Sequence, residues 1–180
     1  MTLLLLFGLA VSQPALACVG KTLFVGVPGS AQELLYAELI SQLVTERTGT
    51  TVKIVQFRDS AELYAAVRKG EVGVLVESPE RALRQLDLKE SNPKQAYDLA
   101  KKEYRKSLNL VWLEPFGGGQ SYAPVISVDT MGHLPALPKL LNKLSGVLTE
   151  ESCSKLQKAL KSDEKPRRIA RDFLKAKKLI

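Results

Sequence analysis

The strongest constraint on the fold is an alternation of strand-like and helix-like segments over residues 21–78. The strand-like runs are KTLFVGV (21–27), TVKIVQF (51–57) and VGVLVES (72–78). Two helical segments separate them, AQELLYAELISQLVTERTG (31–49) and AELYAAVRKG (61–70). Each helical segment follows a capping residue and closes on a glycine. This order predicts two βαβ units, and therefore a parallel sheet with right-handed crossovers in an α/β protein.

The rest of the chain continues the same architecture. A pair of polar helices is predicted over 79–86 and 93–107, each opened by a proline suited to a first helical turn. Strands follow at 109–113 and 122–128, and two further helices finish the chain. With 180 residues, 45% hydrophobic and 25% charged, the composition fits one domain with one sizeable core. We therefore expect a single, mostly parallel sheet flanked by helices.

The first 17 residues, MTLLLLFGLAVSQPALA, have the pattern of a secretory signal. The run is apolar, ends in the small-x-small site Ala15-Leu16-Ala17, and is shorter than the roughly 20 residues of a membrane span. No basic residue precedes Lys21, so the true start codon could lie upstream. The expected mature chain is 18–180, exported to the periplasm or an equivalent compartment.

Two cysteines leave three alternatives open. Cleavage after Ala17 would place Cys18 at the new N-terminus, where a lipid anchor is one use of it. A disulfide with Cys153 is the favoured use in an oxidising compartment, and it would close a loop of roughly 135 residues worth about 4–5 kcal/mol. Two unpaired thiols are the third alternative.

The net charge of +7 is concentrated near the C-terminus, where residues 151–180 hold ten Lys and Arg against four Asp and Glu. Apolar positions there have helical spacing, so the basic residues fall on the opposite face. This is either a solvated face or a contact with anionic lipid or a membrane partner. An exported chain without an interleaved aromatic stripe is not expected to bind nucleic acid.

No catalytic, metal or cofactor site is predicted. The single histidine, His133, has no plausible nucleophile as a base and no companions as a metal ligand. The triple glycine 117–119 lacks the GK[ST] ending and the strand–glycine–helix order of a phosphate-binding loop. We therefore expect a protein that is not an enzyme.

Several long segments resemble glycine betaine/choline (osmoprotectant) ABC-transporter substrate-binding proteins, which are type II periplasmic binding proteins. PKQAYDLAKKEYRKSLNLVWLEP (93–115) resembles the segment that leaves their first lobe, and YAPVISVDT (122–130) the segment that re-enters it. The C-terminal stretches 123–157 and 167–180 are similar to the family's ending. The resemblance implies one lobe of a two-lobed protein, with the second lobe absent between about 115 and 121.

The resemblance also implies a function. Members of this family deliver a quaternary ammonium solute to an ABC permease and hold it between the lobes in a box of aromatic rings. Here the turn after the first strand is VPGSAQ (27–32), and the segment after the third is LVESPERA (75–82), without the family's aromatic residues. The implied protein is a solute-binding homologue with weakened or altered ligand binding. The alternative is a secreted interaction scaffold, or a homodimer that buries its cleft face.

Candidate ligand-binding residues follow from the parallel sheet, because open α/β sheets bind ligands at the carboxyl ends of their strands. The residues at these ends are Ser30, Asp59, Ser60, Glu77, Ser78, Phe116 and Tyr122. The competing explanation is helix capping for the serines and the aspartate, and core packing for the aromatic residues. Trp112 and Tyr36 lie inside strand and helix patterns and are expected in the core.

Overall fold

A computed structural model describes residues 22–116, 122–162 and 164–180. The expected signal (1–17), Cys18 and the triple glycine 117–119 lie outside the described residues, and so does any pairing of Cys18 with Cys153. Five strands are present: β1 (Leu23–Val27), β2 (Val52–Gln56), β3 (Val74–Glu77), β4 (Leu110–Trp112) and β5 (Ala123–Ser127). The helices are α1 (Ala31–Thr48), α2 (Ser60–Arg68), α3 (Pro79–Gln85), α4 (Pro93–Leu108), α5 (Val128–His133), α6 (Leu137–Leu141), α7 (Glu150–Lys161) and α8 (Pro166–Ala176).

The five strands form one sheet in the order β2-β1-β3-β5-β4. β1 pairs in parallel with β2 and β3, and β5 runs antiparallel to both of its neighbours, β3 and β4. Four strands therefore share one direction, as the mostly parallel prediction requires.

Two apolar clusters cover the two faces of the sheet. Successive strand residues point to opposite faces, so Val74 and Val76 join one cluster while Leu75 joins the other. The first cluster packs the sheet against α1, α6, α7 and α8, and the second packs it against α2, α3 and α4. Gly26 makes the second contact possible, because a Cβ there would lie 2.6 Å from Leu63 Cδ1 and 2.9 Å from Val72 Cγ1.

Tyr36 and Trp112 are buried, as predicted. The strand predicted at 109–113 is present as β4, which begins at Leu110 instead of Asn109. Asn109 is the C-cap of α4 and adopts the left-handed conformation at φ 54°. Two further helices were predicted after the last strand, and this is wrong: four are present. Leu134 ends α5, so His133 lies in the last turn of a helix and not in a loop.

In the described part of the chain, none of the helices is both long and apolar enough to span a membrane.

Candidate functional site

The carboxyl edge of the sheet gathers the first turns of three helices. α1, α2 and α3 each begin within four residues of the end of β1, β2 or β3. Their N-caps are Ser30, Asp59 and Ser78, which accept hydrogen bonds from the backbone N–H of Glu33, Glu62 and Arg81 at 3.2, 2.9 and 3.3 Å. Helix capping is therefore one role of these three predicted residues.

A buried ionic network connects two of these helix starts. Glu77, the last residue of β3, is fully buried, and Glu33 in the first turn of α1 is 4% exposed. The guanidinium of Arg81 lies between them, donating to Glu77 Oε1 through Nε at 2.6 Å and to Glu33 Oε1 through Nη1. Its Nη2 donates to the backbone oxygen of Val76 at 2.6 Å. One guanidinium thus ties β3, α1 and α3 together.

Both carboxylates have further partners that hold them in place. Ser30 Oγ donates to Glu33 Oε2 at 2.5 Å, and the backbone N–H of Ser78 donates to Glu77 Oε1 at 2.8 Å. The Tyr64 hydroxyl donates to Glu77 Oε2 and also contacts the hydroxyl of Tyr104, both in the buried core. The network therefore extends from the helix caps into the core between α2 and α4.

Burial sets the electrostatics of the network. Burial raises the pKa of Glu77, and Arg81 and Tyr64 lower it only in part. For Arg81, burial alone lowers the pKa, but Glu77 and Glu33 outweigh it and raise the value. Burial, and then the charge on Glu77, raises the pKa of Tyr64 well above its ordinary value. Burial, and then the charge on Glu77, also raises the pKa of Tyr104. Arg81, Tyr64 and Tyr104 therefore keep their protons at neutral pH.

An aromatic cluster of Tyr36, Phe116 and Tyr122 adjoins the network. The rings of Phe116 and Tyr122 lie 4.9 and 5.3 Å from the Tyr36 ring, centroid to centroid. Phe116 and Tyr36 are at most 4% exposed, while Tyr122 is half-buried. Burial raises the pKa of Tyr122, followed in size by the charge on Glu33. Of these three rings, Tyr122 is the one that keeps part of its surface open to solvent.

The structure joins some of the predicted residues and separates others. Ser30, Glu77 and Ser78 share the ionic network, and Phe116 and Tyr122 share the aromatic cluster. Asp59 lies outside both on the exposed start of α2, where it caps the helix and lies 3.7 Å from Arg58. Ser60 is the half-buried first residue of α2.

Four further residues of the site were not predicted: Glu33, Tyr64, Arg81 and Tyr104. The Ser30-x-x-Glu33 spacing is a capping box, and this could have drawn attention to Glu33. Glu77 and Arg81 are four residues apart, as helical ion pairs are. The contact between Arg81 and Glu33 crosses 48 residues, and no local pattern predicts it.

His133 lies at the opposite edge of the sheet. Its Nδ1 is 2.9 Å from the backbone oxygen of Asp129 and 3.4 Å from the carboxylate of the same residue. A cavity of about 600 Å³ opens here and is also lined by Phe24 and Thr130. Over the described residues, no three His, Cys, Asp or Glu side chains are grouped so that they could hold a metal.

Comparison with known proteins decides the family. The family model described as the substrate binding domain of ABC-type glycine betaine transport systems matches residues 21–133. The chain belongs to this family. The match confirms the resemblance drawn from residues 93–115 and 122–130, whose positions it covers. A search of curated proteins found no match.

Solved structures show the same fold. A glycine betaine/carnitine/choline ABC transporter structure superposes with a TM-score of 0.78 at 12% identity, covering 89% of this chain and 99% of that one. Apo YehZ from Escherichia coli gives 0.79 at 12% identity, with 89% and 100% covered. Lactococcal OpuAC, in a closed conformation with glycine betaine, gives 0.54 at 12% identity, with 88% and 96% covered. The likeness confirms the predicted type II periplasmic-binding-protein fold.

Proposed function

We propose that this family member is a non-catalytic solute-binding protein of a quaternary-ammonium ABC importer, with weakened or altered ligand binding. The proposal rests on one observation: the Arg81 side chain already occupies the space between the carboxyl groups at the carboxyl edge of the sheet. Glu33 and Glu77, the buried carboxyl groups of this edge, already share the Arg81 guanidinium as a donor. A cationic solute that approaches the edge has to compete with a guanidinium tethered to the same chain.

The aromatic cluster supports the same proposal. A quaternary ammonium group has no N–H to donate and is held by ring faces, each worth about 0.5–2 kcal/mol. Tyr36 and Phe116 pack against each other in the core, so Tyr122 is the ring of the cluster that offers surface to a ligand. One ring at this strength improves Kd by about 2- to 30-fold. This is far less than a closed box of several rings would provide.

The organisation of the chain favours a single lobe. Phe116 and Tyr122 form a β-bridge, in which the Phe116 backbone N–H donates to the backbone oxygen of Tyr122 at 2.6 Å. Only residues 117–121 separate them in sequence. Five residues are too few for an α/β lobe, since one βαβ unit needs about 30. We propose that residues 18–180 form one periplasmic-binding-protein-like domain, exported by the signal at 1–17.

This organisation also favours a second candidate function, a secreted interaction scaffold. In the described residues no second lobe covers the carboxyl edge, and a homodimer through this face would supply a cover. In that case the partner is a second copy or another protein, and the solute role is lost.

Titration of the 18–180 protein with glycine betaine, choline, carnitine and proline tests these candidates. Thermal shift and calorimetry are the readouts, and ligand that binds the native state raises Tm by mass action. We expect a saturable response at millimolar ligand. No response, combined with a dimer in light scattering that is lost when Tyr122 is replaced by Glu, would replace the solute proposal with the scaffold.

A further inference from the structure

Arg81 makes the contacts expected of a bound guanidinium ligand. Its three nitrogens donate to three acceptors on two elements, namely Glu33 of α1, and Glu77 and the backbone oxygen of Val76 in β3. The Arg81 side chain is 12% exposed, and those of Glu33 and Glu77 are 5% and 0% exposed. The planar donor fork is thus matched to two carboxylates in a nearly dry site, the geometry for which arginine is suited.

Both carboxylate acceptors have hydrogen-bond partners besides Arg81. Ser30 holds Glu33, and Tyr64 with the Ser78 N–H holds Glu77, as described above. Shortening Arg81 would therefore leave two oriented carboxylates around an empty recess. Because Arg81 starts in the first turn of α3 and keeps contact with solvent, that recess would open at the carboxyl edge.

We infer that Arg81 is a tethered ligand, which fills and blocks a cation-binding position that accepts planar guanidinium groups. The position suits guanidinium and methylguanidinium, whose N–H groups replace those of Arg81. Tetramethylammonium has no N–H donor and cannot satisfy the same carboxylates. This inference rests on the proposed function for taking the carboxyl edge as the ligand face.

Chemical rescue tests the inference. R81A leaves two buried carboxylates without their cation, and we expect Tm to fall by about 10 °C. Guanidinium chloride at ten times its Kd should restore about 3–6 °C of that loss, while sodium chloride at the same ionic strength should not. Guanidinium is kept below the molar range in which it unfolds small proteins.

R84A is the matched control. Arg84 lies on the same helix and pairs with Glu80 four residues away, but both side chains are mostly exposed. R84A should change Tm little and show no guanidinium response. Equal responses of R81A and R84A, or equal effects of sodium and guanidinium on R81A, would overturn the inference.

Two additions keep the test decisive. If R81A does not fold alone, the readout becomes its refolding yield, which must rise in guanidinium and not in sodium chloride. In the triple variant E33Q/E77Q/R81A the carboxylates are gone, so rescue must disappear. A rescue that survives in the triple variant would place guanidinium elsewhere.

Betaine titrations separate this inference from the proposed function. Rescue of R81A by guanidinium, with no betaine binding by the unaltered protein, keeps the tethered ligand and rejects the solute role. Betaine binding by the unaltered protein, with no rescue of R81A by guanidinium, keeps the solute role and rejects the tethered ligand.

Discussion

Removing the Tyr64 hydroxyl should cost more stability than a single hydrogen bond normally does. That hydroxyl has one proton, and it donates this proton to Glu77. The contact between the Tyr64 and Tyr104 hydroxyls therefore requires Tyr104 to be the donor. Y64F removes the donor to a buried carboxylate and, at the same time, the acceptor of a second buried hydroxyl.

The expected loss follows from these two contacts. A hydrogen bond to a charged group contributes about 1.5–3 kcal/mol, and a domain of this size loses about 2–4 °C in Tm per kcal/mol. Y64F should therefore lower Tm by about 3–12 °C, before the cost of the orphaned Tyr104 hydroxyl is added. The change of volume is one oxygen atom, so the surrounding core needs little repacking.

Y97F is the matched control. Tyr97 is half-buried, and its hydroxyl donates at 2.6 Å to a neutral acceptor, the backbone oxygen of Leu113. A neutral hydrogen bond contributes about 0.5–1.5 kcal/mol, so Y97F should lower Tm by about 1–6 °C. Thermal and urea unfolding of the two variants, side by side, give the comparison.

A double-mutant cycle tests the assigned direction of the hydrogen bonds. If Tyr104 acts by donating to Tyr64, Y104F should cost much less in the Y64F background than alone. The reasoning is refuted if Y64F is no more harmful than Y97F, or if the cost of Y104F is the same in both backgrounds.

Three further predictions follow from burial and packing. The pKa of Glu77 is raised in the native state, so protonated Glu77 adds stability. This added stability is full below the ordinary glutamate pKa and is lost as pH rises through the native pKa. E77Q removes the titrating group, so its curve of Tm against pH should be flatter than that of the unaltered protein. G26A should cost about 1–3 kcal/mol by overpacking, measured by urea unfolding, whereas G132A, where a Cβ meets nothing within 4 Å, should be well tolerated. In the reduced protein, the Cys153 thiol, 5% exposed with a pKa raised by burial, should react with iodoacetamide much more slowly in the native than in the urea-unfolded state, as followed by mass spectrometry.

The first half of the fold could be predicted because its signals are local. Ser30 and Gly49 mark the ends of α1, and the alternation of strands and helices requires the parallel order that β1, β2 and β3 adopt. The C-terminal part was harder. α5 and α6 have six and five residues, too short for a periodic pattern, and their boundaries depend on tertiary packing against the sheet.

The candidate site could be predicted only in part, for a similar reason. Strand ends and helix caps are visible in sequence, and they led to Ser30, Glu77 and Ser78. The pairing of Arg81 with Glu33, and of Tyr64 with Glu77, depends on α1, α2 and α3 meeting at one edge. In the sequence, Ser30 and Glu33 have the spacing of a capping box, and Glu77 and Arg81 have the spacing of a helical ion pair. Both patterns are typical of exposed helix ends, so neither indicates a buried charge.

Burial changes the significance of these charges. An exposed ion pair contributes at most about 1 kcal/mol, whereas removing one member of a buried pair costs about 3–5 kcal/mol because a charge is left unpaired. Shortening Arg81 would leave Glu33 and Glu77 without their shared donor, which is why R81A is expected to lose more stability than R84A, whose ion pair is exposed.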